Sequence, residues 1–523
     1  MNGWQLLIVW SGLLLGVLLE SVFNLTFLAV TVLAGGAFLS ALAWKRFGKI
    51  SHLTSGLCIL LVVLGIVRTQ WFELQFSDSI LTERVGERVT VTGLVSTEPD
   101  ERVNFTQLFI ETEIDKILVR ADRFVDVTYG DVITVTGKLE VPEAFVTDTG
   151  RVFYYPKYLQ VRGVQYVIGF ASIEVVERDR GNALLDFLYY VKGYFIDRLE
   201  RVIKSPQVDL GVGLLLGVKQ ALGDELETAF RKTGIIHIVV LSGYNVMLVV
   251  SFIGWVLAWF LPLRSRIVFG LVGITLFALL VGLSATVVRA SIMAAILLIG
   301  KWMGRLYDVL RALLFAAAIM VLINPYILLY DIGFQLSFMA TLGLVLFLPQ
   351  FESTLATHTQ VIKLRDIFMA TVVTQLFVLP LLMYHIGEVS IVSVLVNTLV
   401  LPMVPVAMLL TFVAGIVSLV HVPLGAIFGL LAQLPLTYIN VLATWFAALP
   451  FAAVIIPPIS VGTVLAMYLV PTSLFVLWKR RSKISSDDYL AGWTIVVEDP
   501  NTINKADPEA AASGSADLPV ILR

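Results

Sequence analysis

Apolar runs long enough to cross a lipid bilayer recur along almost the whole chain, and they restrict its fold more than any other feature. Ile235–Leu261 and Val389–Val417 each exceed the roughly 20 apolar residues that span the hydrocarbon core. Lipid offers no partner to backbone N–H and C=O groups, so such runs must be helical. With 58% hydrophobic and only 15% charged residues in 523, one soluble core cannot absorb them. The chain reads as a polytopic α-helical membrane protein.

Three apolar segments open the sequence, Leu6–Val22, Leu25–Ala43 and Leu53–Val67. Lys45, Arg46 and Lys49 lie between the second and third, which by the positive-inside rule puts that loop and the N-terminus in the cytoplasm. The third span therefore exits. From 71 to 180 the texture changes to short alternating runs such as Arg88–Gly93 and Val132–Lys138, rich in β-branched residues and punctuated by Gly, Pro and Asp. This predicts a small extracytoplasmic β-barrel of about five strands, OB-like in type. Gly181–Ile203 carries an apolar stripe of Leu184, Leu188, Val191, Phe195, Leu199 and Val202 and reads as a helix on the outer membrane surface. Val208–Leu222 is apolar but short, and is expected to be re-entrant or broken.

Nine further crossings are expected between Ile235 and Leu477, among them 309–329 and 452–477, for about 12 transmembrane helices in all. The gaps assigned to the cytoplasm hold Arg264 and Arg266, Lys301 and Arg305, Lys363 and Arg365, and Lys479, Arg480, Arg481 and Lys483. The expected organisation is a transmembrane trio at 1–70, the β domain at 71–180, amphipathic and re-entrant helices at 181–233, a transmembrane domain at 234–483, and a disordered cytoplasmic tail at 484–523. The destination is the cell (inner) membrane, with both termini inside.

Ionisable and amide side chains at membrane depth are candidates for function, because lipid penalises them. His237, Ser242, Gly243 and Asn245 stand in one apolar run, where His237 and Asn245 share a face on a continuous helix. Asp331, Gln335 and Ser337 form a second group, and Arg289, between small residues, a third. Arg289 could neutralise an anion or pair with Asp331. The competing readings are hydrogen-bond glue between helices for the first group and snorkelling for Arg289. A Ser242 hydrolase with His237 or His385 as base is a further option, set against by the five-residue spacing of Ser242 and His237. Cys58 is the sole cysteine, and the five histidines show no metal-ligand spacing, so no cofactor is expected.

An ordered series of segments resembles the competence DNA-uptake channel family (ComEC type). It comprises Gly213–Gly217, Leu222–Glu225, Ala229–Gly234, His237, Leu241–Gly243, Val288–Ala290, Asn324–Pro325 and Asp331–Ser337, with Gly150–Gly163 at the end of the β domain. The resemblance implies a conduit for single-stranded DNA during natural transformation, with no catalysis of its own. Many members add a metallo-β-lactamase-like domain, whose HxHxDH motif is not found here, and many carry His where Asn245 stands. No Walker-type motif occurs either, so a separate nuclease and a cytoplasmic motor or strand-binding protein are expected partners. A homo-oligomer is left open, and export of another polar polymer or amphiphile is the alternative function.

On that reading Arg151, Phe153, Tyr154, Tyr155, Lys157, Tyr158 and Arg162 are candidate DNA-binding residues, since interleaved basic and aromatic side chains hold phosphates and stack bases. An aromatic strand closing the barrel core is the competing reading. The β domain is acidic as a whole: residues 71–180 hold 12 Lys+Arg against 19 Asp+Glu, a net of 12 − 19 = −7. It can favour nucleic acid only if its charges segregate.

Overall fold

The computed structural model of the chain describes residues 3–482, apart from positions 49, 77–79, 103, 114, 219–221, 240–241, 306 and 353–360. The expected tail at 484–523 lies outside the described residues. Helices α1 (Gly3–Phe23), α2 (Phe27–Phe47) and α3 (Ile50–Leu74) form the N-terminal trio. A Cβ on Gly16 would come within 2.1 Å of the Val62 carbonyl oxygen, and one on Gly65 within 2.5 Å of that of Leu13. Small residues thus let α1 and α3 pack backbone to backbone, the usual device where lipid supplies no hydrophobic drive between helices.

The β domain contains β1 (Arg88–Val95), β2 (Asp100–Glu101), β3 (Phe105–Glu111), β4 (Lys116–Asp122), β5 (Val132–Glu140), the short β6 (Phe145–Val146) and β7 (Val152–Phe153), helix α4 (Tyr155–Gln160) and β8 (Val164–Glu177). β1 pairs antiparallel with both β5 and β3, β5 with β8, and β3 with β4, while β4 runs parallel to β8. The pairings therefore return to β1. Inward residues at alternate positions, including Val89, Leu108, Ile110, Val119, Ile133 and Val135, have no exposed surface, as a period-two pattern requires.

The remaining helices are α5 (Ala183–Glu200), α6 (Gln207–Leu216), α7 (Gly223–Lys232), α8 (Ile236–Val239), α9 (Gly243–Phe260), α10 (Leu263–Leu280), α11 (Ala285–Trp302), α12 (Val309–Ile323), α13 (Ile327–Tyr330), α14 (Ile332–Glu352) and α15 (Val361–His385). After β9 (Glu388–Ser390) come α16 (Ser393–Val400), α17 (Val404–Val420) and α18 (Val422–Ala447), then β10 (Ala453–Ile455) and α19 (Val461–Ser482). β9 and β10 pair with each other. Among the described residues ten helices are long and apolar enough to cross a membrane, so the protein is a multi-pass membrane protein with a sheet domain near its N-terminus.

Local breaks correct the sequence expectations. The run 235–261 is not one continuous helix, because Ser242 is extended and caps α9 at Gly243. The crossing expected at 309–329 is a 15-residue helix ending at Ile323, where Pro325 cannot continue the hydrogen-bond ladder. That expected at 452–477 begins with β10 and Pro457-Pro458 before α19 starts at Val461. Along the stripe expected for α5, Leu184 and Val191 are exposed, while Phe195 packs against Gly415 of α17 and Leu199 is fully buried. α6 is short, as expected, and Leu210–Leu216 are all buried within the protein.

Candidate nucleic-acid interface

A cleft of about 2820 Å³ separates one face of the β domain from the helices. Its β-domain wall is built by the outward positions of β3 and β4. Strand alternation puts Phe105 and Phe109 of β3 and Lys116 and Arg120 of β4 on the face opposite the core. The Arg120 guanidinium lies 5.7 Å from the Phe105 ring centre and donates from Nη2 to the Tyr155 hydroxyl at 3.2 Å. Lys116 Nζ lies 5.7 Å from the Phe109 ring, and the Arg162 guanidinium 4.3 Å from the Tyr158 ring. Phe145, Phe153, Tyr155 and Tyr158 extend the wall with ring centres 5.3–6.3 Å apart. Burial pulls the Lys116 ammonium below the ordinary lysine pKa; Glu111 opposes this and Arg162 adds to it.

Acids line the cleft as well, among them Glu101, Glu140 and Glu143 of the β domain. Glu98 pairs with the buried Lys192 of α5 at 2.5 Å, and Asp100 with Arg102 at 2.6 Å. Asp209, Asp224 and Glu227 lie on the helices α6 and α7. The cations of the wall are thus local to Lys116, Arg120 and Arg162, while the cleft as a whole holds both signs of charge. The floor is formed by the loop and first turn at 282–286 that open α11 and by Asn324, Ile327 and Asp331–Gly333 around α13 and the start of α14.

Of the seven basic and aromatic candidates, Phe153, Tyr155, Tyr158 and Arg162 line this cleft. Arg151 does not. It is 5% exposed, and its guanidinium donates to the carbonyls of Met383 (2.6 Å), Ile456 (3.0 Å) and Pro457 (3.2 Å), besides Tyr384 and Thr149. With its donors spent on carbonyls, Arg151 is a latch between the β6–β7 hairpin and the helices, not a phosphate ligand. Lys157 Nζ donates to the Tyr326 hydroxyl (2.9 Å), which donates to Glu73 Oε1 (3.0 Å). Burial lowers the Lys157 pKa and Glu73 raises it, while burial first and Glu73 second push Tyr326 up. Tyr154 is exposed but lies outside the cleft lining. The sequence reading missed Phe105, Phe109, Lys116 and Arg120; the signal was the alternation Phe105-x-Gln107-x-Phe109 and Lys116-x-Leu118-x-Arg120.

The membrane-depth group divides as well. Ser242 caps α9, accepting from the Asn245 N–H (3.3 Å) and donating to Asn245 Oδ1 (3.0 Å). Asn245 is fully buried, and its Nδ2 donates to the carbonyls of Leu214 on α6 (3.2 Å) and Ile238 on α8 (2.9 Å). It holds the break between α8 and α9 together, which matches the glue reading. His237 is exposed on α8, with Nδ1 3.0 Å from the Gly234 carbonyl, and shares no helical face with Asn245 because the helix is interrupted.

A Cβ on Gly243 would meet Arg289 Nη2 at 2.5 Å, so glycine makes room for the guanidinium. Arg289 Nη1 donates to the Ser337 carbonyl (3.2 Å) and to Thr341 Oγ1. The expected pair with Asp331 is not formed; Asp331 Oδ1 instead accepts from the Phe334 N–H (2.7 Å) and caps α14. Gln335 donates to the carbonyls of Leu328 and Leu329 and meets His385 Nε2 at 2.8 Å. Of the eight residues in this group only Asp331 lines the cleft. Ser242 bonds Asn245 and neither His237 nor His385, so no nucleophile–base pair forms. Among the described residues no His, Cys, Asp and Glu cluster could hold a metal ion.

Residues 214–481, about half of the chain, match the family described as Competence protein. ComE operon protein 3 of Bacillus subtilis (strain 168) is 26% identical over 349 residues, 65% of this chain and 42% of that protein. A protein of Aquifex aeolicus (strain VF5) described as uncharacterized is 32% identical over 165 residues, 31% of this chain and 39% of its own length. The chain thus spans about two fifths of each of these relatives. No solved structure matches it.

Proposed function

The chain belongs to the competence protein family, and from that premise we propose that it is a membrane conduit for single-stranded DNA entering the cytoplasm during natural transformation. The cleft carries the reading: a wall that alternates cations with aromatic rings faces the ends of α11–α14 across an open space. Arg and Lys neutralise phosphates without reading sequence, and aromatic faces stack unpaired bases. Such a wall favours a single strand over a duplex, whose bases are already stacked on one another.

The strand order supports an OB-type barrel, since the five long strands close in a ring with a parallel pair between β4 and β8. The hydrogen bonds that residues 149–161 make to the transmembrane region fall at 324–326, 383–386 and 456–457, ends that the loop charges assign to the outer side. We therefore orient the β domain outside the cell membrane and both termini inside, with α12 and α19 completing about 12 spans. The domain limits follow the organisation read from the sequence, at 71–180 for the barrel and 234–483 for the transmembrane channel. Degradation of the second strand and the pulling force fall to a separate nuclease and to a cytoplasmic motor or strand-binding protein. The test uses the chain in lipid nanodiscs with fluorescent oligonucleotides. The reading predicts that a single strand binds at least tenfold more tightly than a duplex of equal length; equal affinity, or none for either, removes it.

A further inference from the structure

We propose that Arg289 and Ser337 form a phosphodiester-binding pocket one helical turn beneath the floor of the cleft. This rests on the conduit reading and deepens it by naming the first contact of the strand below the β domain.

Ala285 on α11 and Gly333 on α14 both line the floor. Arg289 and Ser337 each follow four residues later, on the same helical faces and about 6 Å further along the axis. Arg289 is 8% exposed, so it is more than nine-tenths buried. Its described hydrogen bonds both come from Nη1, leaving Nε without a partner, and the neighbouring Ser337 Oγ is buried without a partner too. Among the described residues no carboxylate pairs with this guanidinium.

The groups facing it are neutral: the Ser337 carbonyl, the Thr341 hydroxyl and the Phe338 ring, whose centre lies 5.8 Å from the guanidinium. Arg289 Nη2 stands against Gly243, the first residue of α9, and a helix N-terminus carries a partial positive charge. A buried cation against a positive helix end, inside a membrane protein, lacks the counter-charge that such groups need. A phosphodiester supplies it: one negative charge and two non-bridging oxygens, able to accept from Nε and from Ser337 Oγ together. The same chemistry could be offered by a lipid phosphate, but the pocket lies directly under a cleft walled by stacking rings, which favours the strand.

The test measures oligonucleotide affinity against salt for the full chain in phosphatidylcholine nanodiscs. Arg289→Gln is expected to weaken binding about fivefold and to reduce the slope of log K on log salt by about 0.7, the share of one phosphate contact on a single strand. A strand with a neutral methylphosphonate backbone should bind both proteins alike. Ser337→Ala, which removes one hydroxyl and no charge, should weaken the phosphodiester strand about threefold and leave the slope unchanged; it decides the matter if Arg289→Gln does not fold. Wild-type binding with no change in either variant overturns the pocket but leaves the conduit standing. No binding by the wild type overturns both. Retention of phosphatidylglycerol that is lost in Arg289→Gln, with the strand's slope unaltered, gives the pocket to lipid and overturns the proposal.

Discussion

The Arg151 guanidinium occupies the space in which a side chain on Gly387 would stand: a Cβ there would lie 1.8 Å from Nη1. Gly387 also has φ of +77°, a conformation that other residues adopt with strain. The two residues are far apart in sequence, yet together they fasten the β6–β7 hairpin to the end of α15. That hairpin brings Phe145 and Phe153 to the wall of the cleft, so the latch positions the aromatic surface.

Arg151→Gln leaves several buried carbonyls with too few donors and should destabilise the junction by about 2–4 kcal/mol. The expected signature is faster proteolysis within 145–153, with the transmembrane core still resistant. Gly387→Ala should reproduce it by displacing the guanidinium.

Phe109→Ala and Arg120→Gln should both weaken binding of a single strand, but in different ways. Loss of a stacking ring costs about 1–3 kcal/mol and leaves the salt dependence intact. Loss of a phosphate contact flattens the dependence of log K on log salt by about 0.7. Anisotropy titrations at four salt concentrations separate the two. Matching slopes for wild type and Arg120→Gln would show that Arg120 touches no phosphate.

Asn245→Ala is expected to act on stability. It strands the carbonyls of Leu214 and Ile238 and leaves Ser242 Oγ without its acceptor. About 2–3 kcal/mol should be lost, seen as a lower melting temperature in nanodiscs. The salt slope of strand binding should stay at the wild-type value.

Lys116 should set a pH limit on binding. Its pKa lies below the ordinary 10.5 because burial disfavours the charged form. Phosphate contact needs the protonated form, so its contribution is complete below the lowered pKa and is lost as pH rises through it. Strand affinity should therefore begin to fall at a lower pH than for an exposed lysine. Lys116→Arg should shift that fall upward, because arginine stays charged; an unshifted curve would remove Lys116 from the wall.

The sequence made the membrane helices legible because apolar length is a local property, and the β domain because alternation is one too. What failed was punctuation inside apolar runs. Ser242, Asn324-Pro325 and Pro457-Pro458 interrupt apolar runs whose flanks are as apolar as their interiors. The role of Arg151 was hidden for another reason: most of its acceptors lie more than 230 residues away, and carbonyls have no sequence signature. A basic residue among aromatic ones looks the same whether it faces a phosphate or a cage of backbone oxygens. The outward face of β3 and β4 was within reach, since Phe105, Phe109, Lys116 and Arg120 fall at every second or fourth position, but seeing it required knowing that the two strands pair.

Passage of DNA through the cleft is tested most directly by blocking it in cells. Cys58 is the sole cysteine, so a Cys58→Ala chain carrying Phe109→Cys offers one thiol on the cleft wall. Complete modification by a bulky, membrane-impermeant maleimide should stop uptake of labelled DNA into the nuclease-protected compartment, while the Cys58→Ala chain alone stays active under the same treatment. Undiminished uptake with that thiol fully modified would contradict the conduit.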